Sequence, residues 1–164
     1  MPSKSDRPFA VETLGSQYSK KEYNEGMEWQ IKEHEKYTEW FDTLEEELQD
    51  EILAVVGLLY REGPLLSRPY ADTVEGSKHS NMKELRVQYR GEPWRILFAF
   101  DPVRRAVLLI GGNKTGKGRW YKENIPIADR RFTEYLKSLE ESKKEGKDVE
   151  LRGKDGTTDP RKKG

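Results

Sequence analysis

The sequence predicts one α+β domain with the element order β-α-α-β-β-β-α, in which the last three strands form an antiparallel meander and the helices pack on one face of the sheet. Apolar residues recur at helical spacing in the first half of the chain, and they alternate with polar residues in three later runs. Very short turns separate those runs, so neighbouring strands must pair side by side. The 164 residues suffice for one compact domain with tails.

The N-terminal part of the chain predicts an extension, a strand and two helices. Residues 1–26 are polar and aperiodic, which is typical of a flexible extension, and the alternation over residues 28–32 predicts the first strand. A short helix is expected over residues 35–41, and a longer one from about Leu44 to Arg61. Thr43 is the expected N-cap of the longer helix because Glu46 lies three residues beyond it, and Gly63 with the following proline ends it.

The remaining elements are the meander and one last helix. Residues 65–80 are rich in proline, glycine, serine and aspartate, which favours a loop. Strands are predicted over residues 82–89, 94–100 and 105–110, and a helix over about 127–139. The predicted domain spans residues 27–141, and the charged residues 142–164 predict a disordered tail.

The composition argues against several classes of protein. Without cysteine the chain has no disulfide, thiolate metal site or cysteine nucleophile, and its two histidines, His34 and His79, lie too far apart in sequence to favour a zinc site. No apolar run is long enough for a membrane span, and the N-terminus lacks the apolar stretch of a signal peptide. We therefore expect a cytoplasmic protein that needs no metal or cofactor and does not associate with a membrane.

The zero formal net charge conceals two oppositely charged segments. Residues 33–62 contain ten acidic and two basic side chains, whereas residues 76–122 contain eleven basic and three acidic ones. Such a separation could offer a basic surface to a polyanion. It is equally typical of a solvated acidic helix beside a strand-rich half, so charge alone leaves both interpretations open.

Side-chain alternation in the meander predicts a pair of arginines on one face. If the apolar residues of both strands share a core, Arg86 and Arg95 project together from the opposite face, with Glu84 beside Arg86. Leu97 and Ala99 would floor a shallow hollow there, and guanidinium groups bind phosphate oxygens bidentately. The alternative is that the two arginines pair with acidic side chains.

Residues 111–122 form a basic segment that contains four glycines and two aromatic residues. A phosphate-binding loop of the nucleotide triphosphatases is incomplete here, because Gly118 stands after Lys117 where serine or threonine is required. Basic and aromatic side chains together can hold phosphates and stack on unpaired RNA bases, although a basic surface turn is an equal possibility. His79 is either a proton carrier or an incidental loop histidine.

Five motifs, in order, resemble the phage-derived HigB branch of the RelE/ParE toxins over about residues 27–139. They are Gly63-Pro64 with Arg68-Pro69, Asp72 with Gly76-Ser77, Met82-Lys83-Glu84-Leu85-Arg86, Trp94-Arg95-Ile96-Leu97-Phe98-Ala99-Phe100-Asp101-Pro102, and Gly111-Gly112-Asn113-Lys114. The resemblance implies a RelE-like fold and the toxin of a type II toxin–antitoxin pair. Such toxins enter the ribosomal A site, cut translated mRNA, and are silenced by a cognate helix-turn-helix antitoxin.

The resemblance also implies a metal-independent site, in which a ribose 2′-hydroxyl attacks the adjacent phosphate. By position, Arg86 and Arg95 clamp that phosphate, Lys114 matches a further cation, and Tyr121 matches a tyrosine that stacks on or protonates the substrate. Glu84 stands where the RelE pattern has a lysine, so it is either the general base or a site residue of another task. The expected contacts to messenger and ribosomal RNA are Lys83, Lys117, Arg119, Lys122 and His79, of which Lys83 should point to the other face.

Two further functions are compatible with the sequence. A ParE-like gyrase poison would belong to the same superfamily but would not need the set of Arg86, Arg95, Lys114 and Tyr121. A non-catalytic RNA- or protein-binding module could descend from such a toxin.

Overall fold

The computed structural model describes residues 29–116 and 118–145. The elements are β1 (Gln30–Glu33), α1 (Glu35–Asp42), α2 (Glu46–Glu62), a 3-10 turn (Gly63–Leu65), β2 (Ala71–Thr73), β3 (Met82–Tyr89), β4 (Glu92–Phe100), β5 (Arg105–Asn113) and α3 (Gly118–Glu145). The predicted extension, Lys117 and most of the predicted tail lie outside the described residues, although α3 continues through residues 142–145.

The five strands form one sheet in the order β1-β5-β4-β3-β2. The pairs β2–β3, β3–β4 and β4–β5 are antiparallel, and β1 runs parallel to β5. The predicted α+β class, the order of its elements and the antiparallel meander are therefore confirmed. The structure adds β2, whose three residues are too short for a recognisable alternation and lie within the predicted loop.

Helices cover both faces of the sheet, so the prediction that they pack on one face is wrong. A Cβ atom built on Gly111 would meet the ring of Trp40 in α1, whereas one built on Gly112 would meet the ring of Trp120 in α3. Consecutive residues of a strand point to opposite faces, so α1 and the start of α3 lie on opposite sides. Leu97 and Ala99 are fully buried on the α3 side, which gives the physical reason why that face needs a helix of its own.

The main core lies between α1, α2 and the other face of the sheet. Ile52 and Leu59 of α2 pack there with Leu85, Ile96 and Phe98 of the meander. Because the apolar side chains of the strands point into this core, the alternate side chains of the same strands must point to the α3 side.

Two helix boundaries differ from prediction. Thr43 ends α1 and donates its hydroxyl hydrogen bond to the carbonyl of Trp40, while α2 follows Glu45 without a side-chain cap. The last helix begins at Gly118, nine residues before the expected start, so Tyr121 is helical. The expected start at about residue 127 therefore lies inside α3, just after Pro126.

The chain divides into two compact units, of which the first ends at Arg131 and the second begins at Phe132. The described part of the second unit is the continuous helical segment of residues 132–145, where the rings of Phe132 and Tyr135 stack at 6.2 Å. All the site residues discussed below belong to the first unit. None of the described helices combines the length and apolarity needed to cross a membrane.

Candidate functional site

Arg86 and Arg95 are direct cross-strand partners in β3 and β4. Both side chains lie on the α3 face of the sheet, because their neighbours Leu85 and Ile96 point into the main core. The face predicted from alternation is therefore the observed one. Glu84, two residues before Arg86, projects from the same face.

The Glu84 carboxylate connects three side chains around it. Its Oε2 accepts a hydrogen bond of 2.8 Å from Arg86 Nη1, and its Oε1 accepts one of 2.6 Å from the Tyr121 hydroxyl. Arg95 Nε lies 3.6 Å from Oε1, which is an ion pair too long for a hydrogen bond. The Glu84 side chain is only 6% exposed, and burial of a charged carboxylate is unfavourable. The contacts with these partners offset that free-energy cost.

The two arginines differ in their access to solvent. The Arg86 side chain is 25% exposed, whereas that of Arg95 is 6% exposed. Arg95 donates from Nη1 to the carbonyl of Trp94, and its buried Nε makes no hydrogen bond. Both arginines line an open cleft of about 720 Å³, so a ligand in the cleft can approach Arg86 first and Arg95 behind it.

Helix α3 brings Tyr121 to the site. Burial and the hydrogen bond to Glu84, together with its charge, raise the pKa of Tyr121 to about 12, against an opposing effect of Arg95. Lys114 follows β5, and its Nζ lies 5.6 Å from the centre of the Tyr121 ring, within the range of a cation–π contact. Glu84, Arg86, Arg95, Lys114 and Tyr121 form one group, here called the Glu84 cluster.

Two contacts hold the first part of α3, one on the sheet and one on the loop before β3. Trp120 fills the space above Gly112, where a Cβ atom would approach Trp120 Nε1 to 2.5 Å. Asp129, which is buried, accepts hydrogen bonds from the Ser77 hydroxyl and from the backbone N–H of Lys78. The Ser77 position was part of a sequence motif, but nothing in the sequence connects it with an aspartate about fifty residues away.

The predicted RNA contacts do not gather in one place. Lys83 pairs with Phe98 in register and lies on the main-core side of the sheet, away from the Glu84 cluster. Arg119 and Lys122 are exposed on the first turns of α3, where Arg119 pairs with Glu123. His79 is half-buried in the loop before β3, and its backbone N–H donates to Ser77.

The sequence patterns indicate no site role for Arg68 or Tyr70, although Arg68 belongs to one of the motifs. Both side chains line the same cleft as Arg86 and Arg95. Within the described residues, no group of three or more histidine, aspartate or glutamate side chains could hold a metal ion. That the protein works without a metal or a cofactor stays a prediction.

Comparison with known proteins gives a family and named relatives. A model of the phage-derived Gp49-like proteins matches residues 39–133. The chain is 45% identical over 111 residues to a Mycobacterium tuberculosis protein named as a candidate toxin, HigB2, covering 66% of this chain and 55% of that protein. It is 49% identical over 100 residues to a second, HigB3, from the same organism, covering 60% of this chain and 86% of that protein.

The chain therefore spans about half the length of the first of these relatives and most of the second. Among solved structures, a mutant of the Escherichia coli toxin RelE in the free state is similar, with a TM-score of 0.45 and 11% identity. That similarity covers 61% of this chain and 97% of the RelE chain.

Proposed function

Because the chain belongs to the family of phage-derived Gp49-like proteins, we propose that it is the toxin of a type II toxin–antitoxin pair and that it cleaves translated mRNA in the ribosomal A site. Its relatives HigB2 and HigB3 support the first part, since both are named as candidate toxins. Such a protein acts in the cytoplasm, where ribosomes are, and is held inactive by a cognate helix-turn-helix antitoxin.

The convergence of the Glu84 cluster is the observation that carries the catalytic part of the proposal. Metal-independent cleavage of RNA needs a proton acceptor, a proton donor and cations that stabilise the charge of the pentacoordinate phosphorus. The cluster contains a carboxylate, a phenol, two guanidinium groups and an ammonium group. They come from β3, β4, the segment after β5 and α3, and contacts of 2.6 to 5.6 Å connect them.

The proposed reaction forms one bond and breaks one. The ribose 2′-oxygen bonds to the adjacent phosphorus while the bond from phosphorus to the 5′-oxygen breaks, which leaves a 2′,3′-cyclic phosphate and a free 5′-hydroxyl. Arg86 and Arg95 hold the non-bridging oxygens and Lys114 adds positive charge. In the free protein Glu84 accepts a hydrogen bond from Arg86 and forms a longer ion pair with Arg95, so the phosphate binds by taking over part of these contacts, beginning with the more exposed Arg86.

Glu84 and Tyr121 account for the two protons. Glu84 accepts the proton of the attacking 2′-hydroxyl, and Tyr121 donates its own to the leaving 5′-oxygen. The 2.6 Å hydrogen bond between them then returns the proton from Glu84 to Tyr121, so that the site is restored without net gain or loss. With a pKa of about 12, Tyr121 carries its proton at neutral pH and is therefore able to donate it.

Contacts outside the cluster are proposed to bind RNA without taking part in the chemistry. Arg119 and Lys122 are exposed on α3 and can approach ribosomal RNA. Lys83, Lys117 and His79 complete the set proposed from the sequence, and mutation of each to alanine should weaken association more than the cleavage step.

The decisive experiment expresses the protein in cells and maps new 5′ ends in mRNA and breaks in DNA. Cuts in phase with codons support the proposal, DNA breaks without mRNA cuts indicate a gyrase poison, and neither outcome indicates a non-catalytic binding module. Purified protein with programmed ribosomes supplies the second measurement. There, a 2′-deoxy substitution at the cleaved nucleotide should abolish the cut, because the attacking group is missing.

Arg86→Ala and Arg90→Ala form a matched pair for both measurements. Each removes one ion-paired arginine near the end of β3, but Arg90 pairs with Glu45 and Glu47 instead of Glu84. The first substitution should abolish cleavage and growth arrest, whereas the second should leave both unchanged.

A further inference from the structure

The Glu84 cluster is one end of a longer row of charged side chains. Asp72 in β2 lies opposite Glu84 in register, and its Oδ2 is 2.7 Å from Arg68 Nη2 and 2.9 Å from Arg68 Nε. The row therefore contains the guanidinium groups of Arg68, Arg86 and Arg95 around the neighbouring carboxylates of Asp72 and Glu84. Hydrogen bonds from Arg68 and the Thr73 backbone, with the charges of Arg68 and Arg86, lower the pKa of the Asp72 carboxyl.

The cleft extends beside this row. Arg68, Pro69 and Tyr70 form part of its wall, Arg86 and Arg95 form another part, and Glu51 and Val55 of α2 also line it. The backbone N–H of Arg86 donates to the carbonyl of Tyr70 at 2.8 Å, which fixes Tyr70 next to the strand that carries the catalytic arginine. The Tyr70 side chain is nevertheless 43% exposed, so its ring remains available to a ligand.

We propose that Arg68 and Tyr70 form a second nucleotide subsite, in which Tyr70 stacks on an unpaired base next to the cleaved bond and Arg68 holds the phosphate of that nucleotide. This inference rests on the proposed function and extends its site by one nucleotide. An exposed ring beside a guanidinium is the combination by which proteins hold single-stranded RNA, since every base offers a face for stacking.

The charges of the cleft also favour one path for the RNA backbone. The Arg68–Asp72 pair is exposed, with 67% of the arginine side chain accessible, so a phosphate can replace part of it at little cost. Glu51, in contrast, repels phosphate from the α2 wall. The backbone of the bound RNA therefore follows the three arginines from Arg95 through Arg86 to Arg68.

Binding of a short fluorescent single-stranded RNA, with a 2′-deoxy group at the cleaved position, tests the subsite on the full chain. Tyr70→Ala should weaken binding about tenfold, which corresponds to roughly 1.4 kcal/mol of lost stacking. Tyr70→Phe should bind like the unmutated protein because the ring remains. Leu65→Ala is the control, since Leu65 is 81% exposed but does not line the cleft.

Arg68 is tested by the salt dependence of the same binding. Loss of one phosphate contact should reduce the slope of log affinity against log salt by about 0.7 in Arg68→Ala, while Tyr70→Ala leaves the slope unchanged. Equal affinity of Tyr70→Ala and the unmutated protein would overturn the subsite, as would absence of RNA binding by the unmutated protein. If Tyr70→Ala lost antitoxin binding but kept RNA binding, the subsite would also be wrong, because this surface would then bind a protein.

Ribosome-dependent cleavage by the unmutated protein separates this inference from the proposed function. If the protein cleaves mRNA but Tyr70→Ala binds RNA normally, the subsite is wrong and the function stands. If the protein binds RNA through Tyr70 but does not cleave, the nuclease function is wrong and the subsite stands.

Discussion

Arg95→Ala should cost the fold more than Arg86→Ala, although both substitutions should abolish cleavage. The two arginines share the Glu84 carboxylate, but their side chains are 6% and 25% exposed. Sequence alternation alone treats them as equivalent, because it places both on the same face of the sheet. Because Arg95 is the more buried of the two, its removal should also lower the free energy of unfolding, whereas removal of Arg86 should mainly abolish cleavage.

The magnitudes follow from what each substitution leaves behind. Removing one partner of a buried ion pair costs about 3–5 kcal/mol, and Arg95→Ala should lie near the lower end, at about 3 kcal/mol, because Glu84 keeps Arg86 and Tyr121. Arg86→Ala should cost about 1 kcal/mol, because its side chain is partly solvated and Glu84 keeps Tyr121. For a chain of this size, 3 kcal/mol corresponds to a fall in Tm of roughly 10 °C.

Urea denaturation of the two variants and of Glu84→Gln measures these free energies of unfolding. Adding Glu84→Gln to Arg95→Ala should recover about 1–2 kcal/mol, because the amide removes a buried charge that, without Arg95, has Arg86 as its one cationic partner among the described residues. The reasoning is refuted if Arg95→Ala is as stable as the unmutated protein, if the double variant is no more stable than Arg95→Ala, or if folded Arg86→Ala cleaves at the normal rate.

Three further predictions concern Tyr121 and the start of α3. Tyr121→Phe should stay folded but cleave about 10²–10⁴-fold more slowly, since only the proton donor is lost. The pKa of Tyr121, about 12, should fall in Glu84→Gln because the Glu84 carboxylate raises it. The pKa values of Tyr121 in the folded and the unfolded protein then lie closer together. The free energy of unfolding should therefore decrease by less between pH 10 and 12 in this variant. Gly112→Ala should displace Trp120, cost about 1–3 kcal/mol and reduce cleavage.

Each of these predictions has a measurement and a control. Single-turnover cleavage on ribosomes and circular dichroism separate activity from folding in Tyr121→Phe, and normal cleavage would remove the tyrosine from the chemistry. The difference in tyrosinate absorbance between the unmutated protein and Tyr121→Phe isolates this one titration, and an unchanged midpoint in Glu84→Gln would contradict the assigned cause. Gly111→Ala is the control for Gly112→Ala, since its Cβ meets α1 on the other face: it should destabilise the fold and spare the rate of the folded fraction.

Local pattern was sufficient for the strands and for one part of the site. Alternation places side chains on faces without knowledge of the rest of the fold, so the shared face of Glu84, Arg86 and Arg95 could be predicted from β3 and β4 alone. The same pattern failed for the helix that covers them. The glycines of residues 111–118 favoured a loop and a later start, whereas the helix begins at Gly118 and Trp120 packs on Gly112.

The sequence by itself determined the class of fold, the order of its elements, the pairing of the meander strands and the face on which two arginines lie. These depend on period-two alternation and short turns, which act between near neighbours. Only the tertiary structure decided that α3 covers the second face, that Glu84 is buried between Arg86 and Tyr121, and that Arg68 and Tyr70 border the same cleft. Such contacts join residues far apart in the chain, and they exist only after sheet register and helix packing bring those residues together.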